Sequence, residues 1–135
     1  MLLGEFQCST DNEGQLRIPS AFRAELDQGA TVTRGIERCL LVYPNAEWKK
    51  LARKIEDLPL TSTPARRFSR LIFSGAKTCT PDASGSVSLP EPLRRYAGIE
   101  NEAIVVGLLS HLEIWCPHSW EEAKAALVEE GVDML

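Results

Sequence analysis

Four cysteines, two histidines and nineteen acidic residues are the side chains of this 135-residue chain that could hold a metal or move a proton. Their spacing argues against both. Cys8, Cys39, Cys79 and Cys116 lie more than 30 residues apart. A zinc site gathers four ligands, usually supplied as close pairs, and Cys116-Pro-His118 is the one near-pair. The cysteines read instead as small buried hydrophobes in a reducing compartment. His111 and His118 have no serine or cysteine at the spacing of a nucleophile motif, and there is no phosphate-binding glycine loop. Adjacent acids such as Glu121-Glu122 and Glu129-Glu130 cannot share a helix face as a catalytic pair. No catalytic residue, metal ligand, cofactor or small-molecule substrate is therefore expected, and the chain is not read as an enzyme. What remains is polar binding chemistry. Arg66, Arg67 and Arg70 cluster on one side of a helical segment; pairing with the acids of the C-terminal helix, of this or a neighbouring subunit, is favoured over a nucleic-acid patch. Asp11-x-x-Gly14 and Asp82-x-x-Gly85 are two like turns, each opening a segment of alternating polar and apolar residues.

Those turns belong to an internal repeat. A shift of 71 residues lays Cys8, Asp11, Gly14, Pro19 and Arg23 on Cys79, Asp82, Gly85, Pro90 and Arg94. Apolar positions follow: Leu16 falls on Val87, Ile18 on Leu89, Phe22 on Leu93. With one or two added residues, Val32–Ile36 answers Ile104–Leu108 and Cys39–Pro44 answers Leu112–Pro117. The chain is a tandem duplication.

Each copy reads alike. A short strand enters the turn, where aspartate bonds its own backbone and glycine supplies positive φ. An alternating strand follows, 15–18 in the first copy and 86–89 in the second. Proline then opens a short helix, Ser20–Leu26 or Glu91–Ala97, which Gly29 or Gly98 stops. Two more strands come next, Thr31–Thr33 with Cys39–Tyr43, and Ala103–Leu108 with Leu112–Trp115. Helix Asn45–Leu58, capped by Asn45, and helix His118–Glu130, capped by Ser119 or His118, close the halves. A linking helix, about Ser62–Ser74, starts at Thr61-x-x-Pro64 and ends at Gly75. No hairpin this small buries a core alone. Two copies can do so around a pseudo-twofold axis, as an interleaved β-barrel flanked by helices: an α+β fold.

Composition sets the setting. Apolar residues make up 44% and charged residues 25%, the profile of a soluble globular protein. The longest apolar stretches, such as Ala103–Leu109, are far too short to span a bilayer, and Met1-Leu-Leu-Gly-Glu5 lacks the marks of an export signal. A cytoplasmic location without membrane contact is expected. The net charge of −4 is unevenly spread. Residues 1–99 hold 14 Lys/Arg against 11 Asp/Glu, whereas residues 100–135 hold Lys124 alone against 8 acids. One face is thus free to meet an anionic partner.

The chain resembles the MraZ family, bacterial regulators of the division and cell-wall gene cluster. The resemblance rests on Leu3-Gly-Glu-Phe6, on Asp11-x-x-Gly14-x-Leu16-x-Ile18-Pro19-x-x-Phe22-Arg23 and on Val32-Thr-Arg-Gly35. It continues through Cys39-Leu-x-x-Tyr43-Pro44-x-x-x-Trp48, Arg66-x-Phe68-x-Arg70, Ser74-Gly-Ala76, Tyr96-Ala-Gly98 and Glu113-Ile-Trp115. It implies a tandem-repeat swapped-hairpin β-barrel of the AbrB type with flanking helices. Residues 1–60 would be the first AbrB-like repeat, 61–76 a linker helix and 77–135 the second. It further implies a sequence-specific DNA-binding repressor at the nucleoid, a homo-oligomeric ring on repeated promoter sites. The DNA-binding residues carried over are Asp11, Gln15, Arg17, Asp82 and Ser86.

The family signature, Asp-x-x-x-Arg, is altered in both copies: Gln15 and Ser86 stand where it has arginine, and Glu13 where lysine is frequent. Gln15 can still read adenine or touch phosphate through its amide. Arg17, two residues on and on the same strand face, could replace the missing guanidinium; the plain alternative is a solvated strand arginine. Arg34 and Trp48, Trp115 and Trp120 read as structural or interface side chains. A second reading stays open, a ring-forming interaction protein that has lost DNA binding. On either reading helices Asn45–Leu58 and Ser62–Ser74 carry more apolar surface than one small body covers. Light scattering at micromolar concentration is expected to give a mass several times that of the chain, and a clean monomer would refute this.

Overall fold

The computed structural model describes residues 1–134. In chain order it holds β1 (Leu2–Ser9), β2 (Gln15–Arg17), α1 (Ser20–Leu26), β3 (Ala30–Arg34), β4 (Leu40–Pro44), α2 (Asn45–Glu56) and α3 (Thr63–Gly75). Then follow β5 (Lys77–Thr78), β6 (Ser86–Ser88), α4 (Glu91–Ala97), β7 (Glu102–Leu109), β8 (Leu112–Trp115), α5 (Pro117–Glu130) and a 3-10 turn, Gly131–Met134.

The two halves are interleaved. Strands pair antiparallel in the order β1-β7-β8-β4-β3-β5, and β2 pairs with β6 as a separate two-stranded ribbon. The first strand of the chain lies along β7 of the second copy for its whole length, from Leu2 opposite Leu109 to Ser9 opposite Glu102. Alternation decides which side chains turn inward: Leu16 and Val87, opposite each other in the ribbon, are fully buried. They join Ile18, Phe22, Leu26, Val32, Leu40, Val42, Leu89, Leu93, Leu112 and Ile114 in one core drawn from both copies. A smaller apolar cluster of Cys39, Val106, Trp115 and Trp120 lies under α5. Glu5 fastens that helix to β1, accepting from Trp120 Nε1 at 2.6 Å and pairing with Lys124 at 2.7 Å.

Several boundary residues act differently from the sequence reading. Asn45 is the first residue of α2 rather than its cap, and its side-chain amide reaches the Gln28 carbonyl at 3.5 Å. The linking helix is capped by Ser62 rather than begun at Thr61, and Ser62 Oγ accepts from Ala65 N at 3.2 Å. At α5 the capping acceptor is the Cys116 thiol, 3.3 Å from Ser119 N, with Pro117 as first helical residue. Arg66 turns back on its own helix start, donating to the Leu60 carbonyl and to Thr63 Oγ1. Among the described residues none of Arg66, Arg67 and Arg70 pairs with an acid of α5.

The halves are clasped where each turn meets the other copy. Ile18 N donates to Gly85 O at 3.0 Å and Leu89 N to Gly14 O at 2.9 Å. Gly14 and Gly85 have φ of 81° and 82°, a region costly for side chains with a branched β carbon. Space is short as well: a Cβ at Gly14 would stand 2.7 Å from Arg94 Cζ and 2.8 Å from Leu89 O, and one at Gly85 would overlap the Arg23 guanidinium. Gly14→Val and Gly85→Val are each expected to lower the unfolding free energy by ~1–3 kcal/mol or more, read by chemical denaturation. Unchanged midpoints in both would refute the clasp.

Candidate nucleic-acid interface

Each Asp-x-x-Gly turn is built by its aspartate. Asp11 Oδ1 accepts from the amides of Glu13 and Gln15, both at 2.9 Å, while Gly14 N donates to Asp11 O at 3.1 Å. Asp82 repeats the pattern: Oδ1 accepts from Ser84 N at 2.9 Å, Ser86 N at 3.0 Å and Ser84 Oγ at 2.7 Å. Short polar side chains make this turn by mimicking a backbone acceptor. The Ser84 hydroxyl, followed by the Ser86 amide, holds the Asp82 carboxyl below its ordinary range. The aspartates therefore present rigid loops, and the side chains beyond them face outward.

Those side chains lie on the ribbon. Leu16 and Val87 point into the core, so Gln15, Arg17, Ser86 and Ser88 share the outer face. The register puts Arg17 opposite Ser86 and Gln15 opposite Ser88. Directly opposed residues have Cβ atoms ~4.5–5.5 Å apart, closer than same-strand neighbours two positions away. Arg17 thus stands beside the second turn rather than serving the turn of its own copy. All five sequence-derived positions gather on this one ribbon and its two turns. Arg34 does not join them; it donates from Nη2 to Ser74 Oγ at 2.8 Å, against Gly75 at the end of α3.

Two further cations sit at the site. Arg23 and Arg94 pack against Gly85 and Gly14, and each Nε donates to a strand-end carbonyl, Ile18 O at 3.3 Å and Leu89 O at 2.9 Å. Both fall at equivalent positions of the repeat, and sequence alone gives them no role. The signal for them in the sequence is that an arginine recurs at the same distance from the turn glycine in both copies.

The residues capable of other chemistry are dispersed. His111 stacks on Tyr43 with ring centroids 4.4 Å apart, and burial pushes its pKa down; His118, on α5, pairs with Glu122 at 3.0 Å. Burial pushes the thiols of Cys8 to about 11 and of Cys39 and Cys79 to about 12, so they stay protonated at neutral pH. Among the described residues no three His, Cys, Asp or Glu side chains gather as a metal site, and no helix is long and apolar enough to cross a membrane.

Known proteins are similar to this chain in sequence. The family model described as "MraZ protein, putative antitoxin-like" matches twice, over residues 1–71 and 72–133. A protein of Roseiflexus sp. (strain RS-1) named "Transcriptional regulator MraZ" is 39% identical over 127 residues, covering 94% of this chain and 89% of its own length. One of the same name from Halothermothrix orenii is 39% identical over 98% of this chain and 100% of its own. A third, from Roseiflexus castenholzii, matches at 39% with 94% and 89% coverage.

The Asp82 turn supplies a pH test. A carboxyl whose folded pKa is depressed stabilises fully above its unfolded pKa, and the contribution fades as pH falls through the folded value. The Ser84 and Ser86 amide resonances are expected to keep their native shifts below the ordinary carboxylate range and to move together only at still lower pH. In Asp82→Ala that titration disappears. A titration that survives in Asp82→Ala would show that another group holds these amides.

Proposed function

Because the chain belongs to the MraZ family, we propose that it is a DNA-binding regulator of transcription that meets the duplex with the β2–β6 ribbon and its two turns. The ribbon carries this reading: it is two strands wide, apolar inward, polar outward and ended by two rigid turns. The major groove admits an element of that width. In it Gln15 offers an amide to a base edge and Ser86 a hydroxyl, Arg17 brings a guanidinium to the duplex backbone beside them, and Asp11 and Asp82 hold the turns.

The same reading takes the sheet and ribbon together as the swapped-hairpin barrel. It divides the chain into repeats 1–60 and 77–135 around the linker helix, and places the protein at the nucleoid in the cytoplasm. It makes the protein a repressor of the division and cell-wall genes that works as a ring on repeated promoter sites. An open groove between α2 and α3, lined by Ile55, Leu58, Leu60 and Phe73, supports contact between copies. Weak contacts per copy then multiply through effective concentration. One observation favours the second reading, an interaction ring without DNA: Asp11 and Glu13 make the first turn anionic.

Fluorescence anisotropy with DNA from upstream of its own gene, across a salt series, separates the two. Gln15→Arg with Ser86→Arg is expected to tighten binding, since each good bidentate base contact contributes ~1–3 kcal/mol. It should also steepen the salt slope by ~0.9 for each phosphate newly neutralised. Arg17→Ala should weaken the parent. A double variant that binds no better than the parent would transfer the proposal to the interaction ring.

A further inference from the structure

Two guanidinium groups converge on the foot of the second turn. Arg17 lies opposite Ser86 in the ribbon, and Arg23 packs on Gly85. Between them and the end of β1 opens a cavity of about 420 Å³, whose polar lining is Gln7, Ser9, Arg17, Ser20 and Arg23. Among the described residues no carboxylate lines it. Arg23 spends its Nε on Ile18 O, and a guanidinium has five N–H donors. Arg17 is exposed and takes part in no ion pair among the described residues. The space opens to solvent and is wide enough for a phosphate group.

The equivalent place beneath the first turn is different. The repeat puts Ser88 where Arg17 stands and Glu91 where Ser20 stands, and the Glu91 carboxylate pairs with Arg95 at 2.5 Å. Arg94 alone remains against Gly14. The first turn also carries Glu13 where the second has Ser84. With Asp82 counted, Arg17 and Arg23 leave the second turn net positive, whereas Asp11 and Glu13 outweigh Arg94 at the first.

We propose that the cavity at the foot of the second turn is a seat for one phosphodiester of the duplex, present once per chain, in which Arg17 and Arg23 hold the phosphate oxygens. This rests on the DNA-binding reading above and adds a direction to it. Paired guanidinium forks match phosphate oxygens in geometry as well as charge. Phosphate contacts fix register and orientation on the duplex. With a single seat, a pseudo-twofold protein lies on its site one way round, so each copy reads an oriented element rather than a palindrome.

The test leaves Arg23 in place, because it also holds Ile18 and packs on Gly85. In the first arm inorganic pyrophosphate is titrated into the full chain and the arginine Nε–H signals are followed by NMR. The Arg17 and Arg23 signals are expected to shift, the Arg94 signal to stay, and Ser20→Glu to abolish the shifts. Signals that all move alike, or do not move, overturn the seat. In the second arm the upstream duplex is titrated across a salt series. Arg17→Ala and Ser20→Glu should each flatten the salt slope by ~0.9, and Ser88→Arg with Glu91→Ser should steepen it by the same amount. Unchanged slopes in the first two variants overturn the seat while the parent's binding upholds the regulatory reading. A parent that binds no duplex at any salt overturns that reading, and the pyrophosphate arm still decides whether the cavity takes phosphate.

Discussion

The reciprocal clasp between the copies is the constraint on which the rest depends. Each turn glycine accepts a hydrogen bond from the strand end of the other copy, Gly85 from Ile18 and Gly14 from Leu89. Each glycine also gives its missing side chain's space to an arginine from the other copy. Only this crossing brings Leu16 against Val87 and places both beneath an outward polar face. A single copy would expose that apolar face, and an isolated two-stranded hairpin is marginal in water. Folding and the presentation of the turns are therefore one event: the chain cannot bury its core without also fixing the two loops side by side.

Duplication inside one chain removes a restriction that a homodimer obeys. In a twofold pair of identical hairpins, any change in one turn appears in both. Here the backbone clasp is kept in both copies through Asp, Gly, Pro and Arg at matching positions, while the exposed positions between them have diverged. Glu13 against Ser84, Arg17 against Ser88 and Ser20 against Glu91 all shift charge in the same sense, toward a cationic second turn. Three such changes cost little stability, because all six positions are exposed and surface substitutions rarely exceed half a kcal/mol or so. The surface is free to become asymmetric because the core is not.

Much of this was legible in the sequence for a physical reason. Positive φ at Gly14 and Gly85, the alternation of Leu16 with Ile18 and Val87 with Leu89, and proline at the start of α1 and α4 are local requirements, and local requirements repeat when a gene is duplicated. Helices Ser20–Leu26 and Glu91–Ala97 and strand Leu112–Trp115 lie where that pattern put them. Registers are not local. Reading along the strand grouped Arg17 with Gln15, whereas pairing groups it with Ser86. The role of Arg23 and Arg94 was hidden likewise, since the glycine each one packs against belongs to the other copy. Caps failed on chemistry: a cysteine thiol is a weak acceptor, and nothing in composition marks Cys116 out over Ser119.

On the DNA-binding reading, scarcity of charge has a consequence for selectivity. Sequence-independent affinity comes almost entirely from neutralised phosphates, and the outer face of the ribbon offers Arg17 as its one cation, with Gln15, Ser86 and Ser88 neutral. Losing a phosphate contact weakens specific and nonspecific complexes together, so the ratio between them is kept. A glutamine amide that pairs with adenine contributes only to the specific complex. What a genome-wide search demands is that ratio rather than affinity alone. Absolute affinity can be recovered by joining copies, without adding a cation that would hold the protein equally well everywhere.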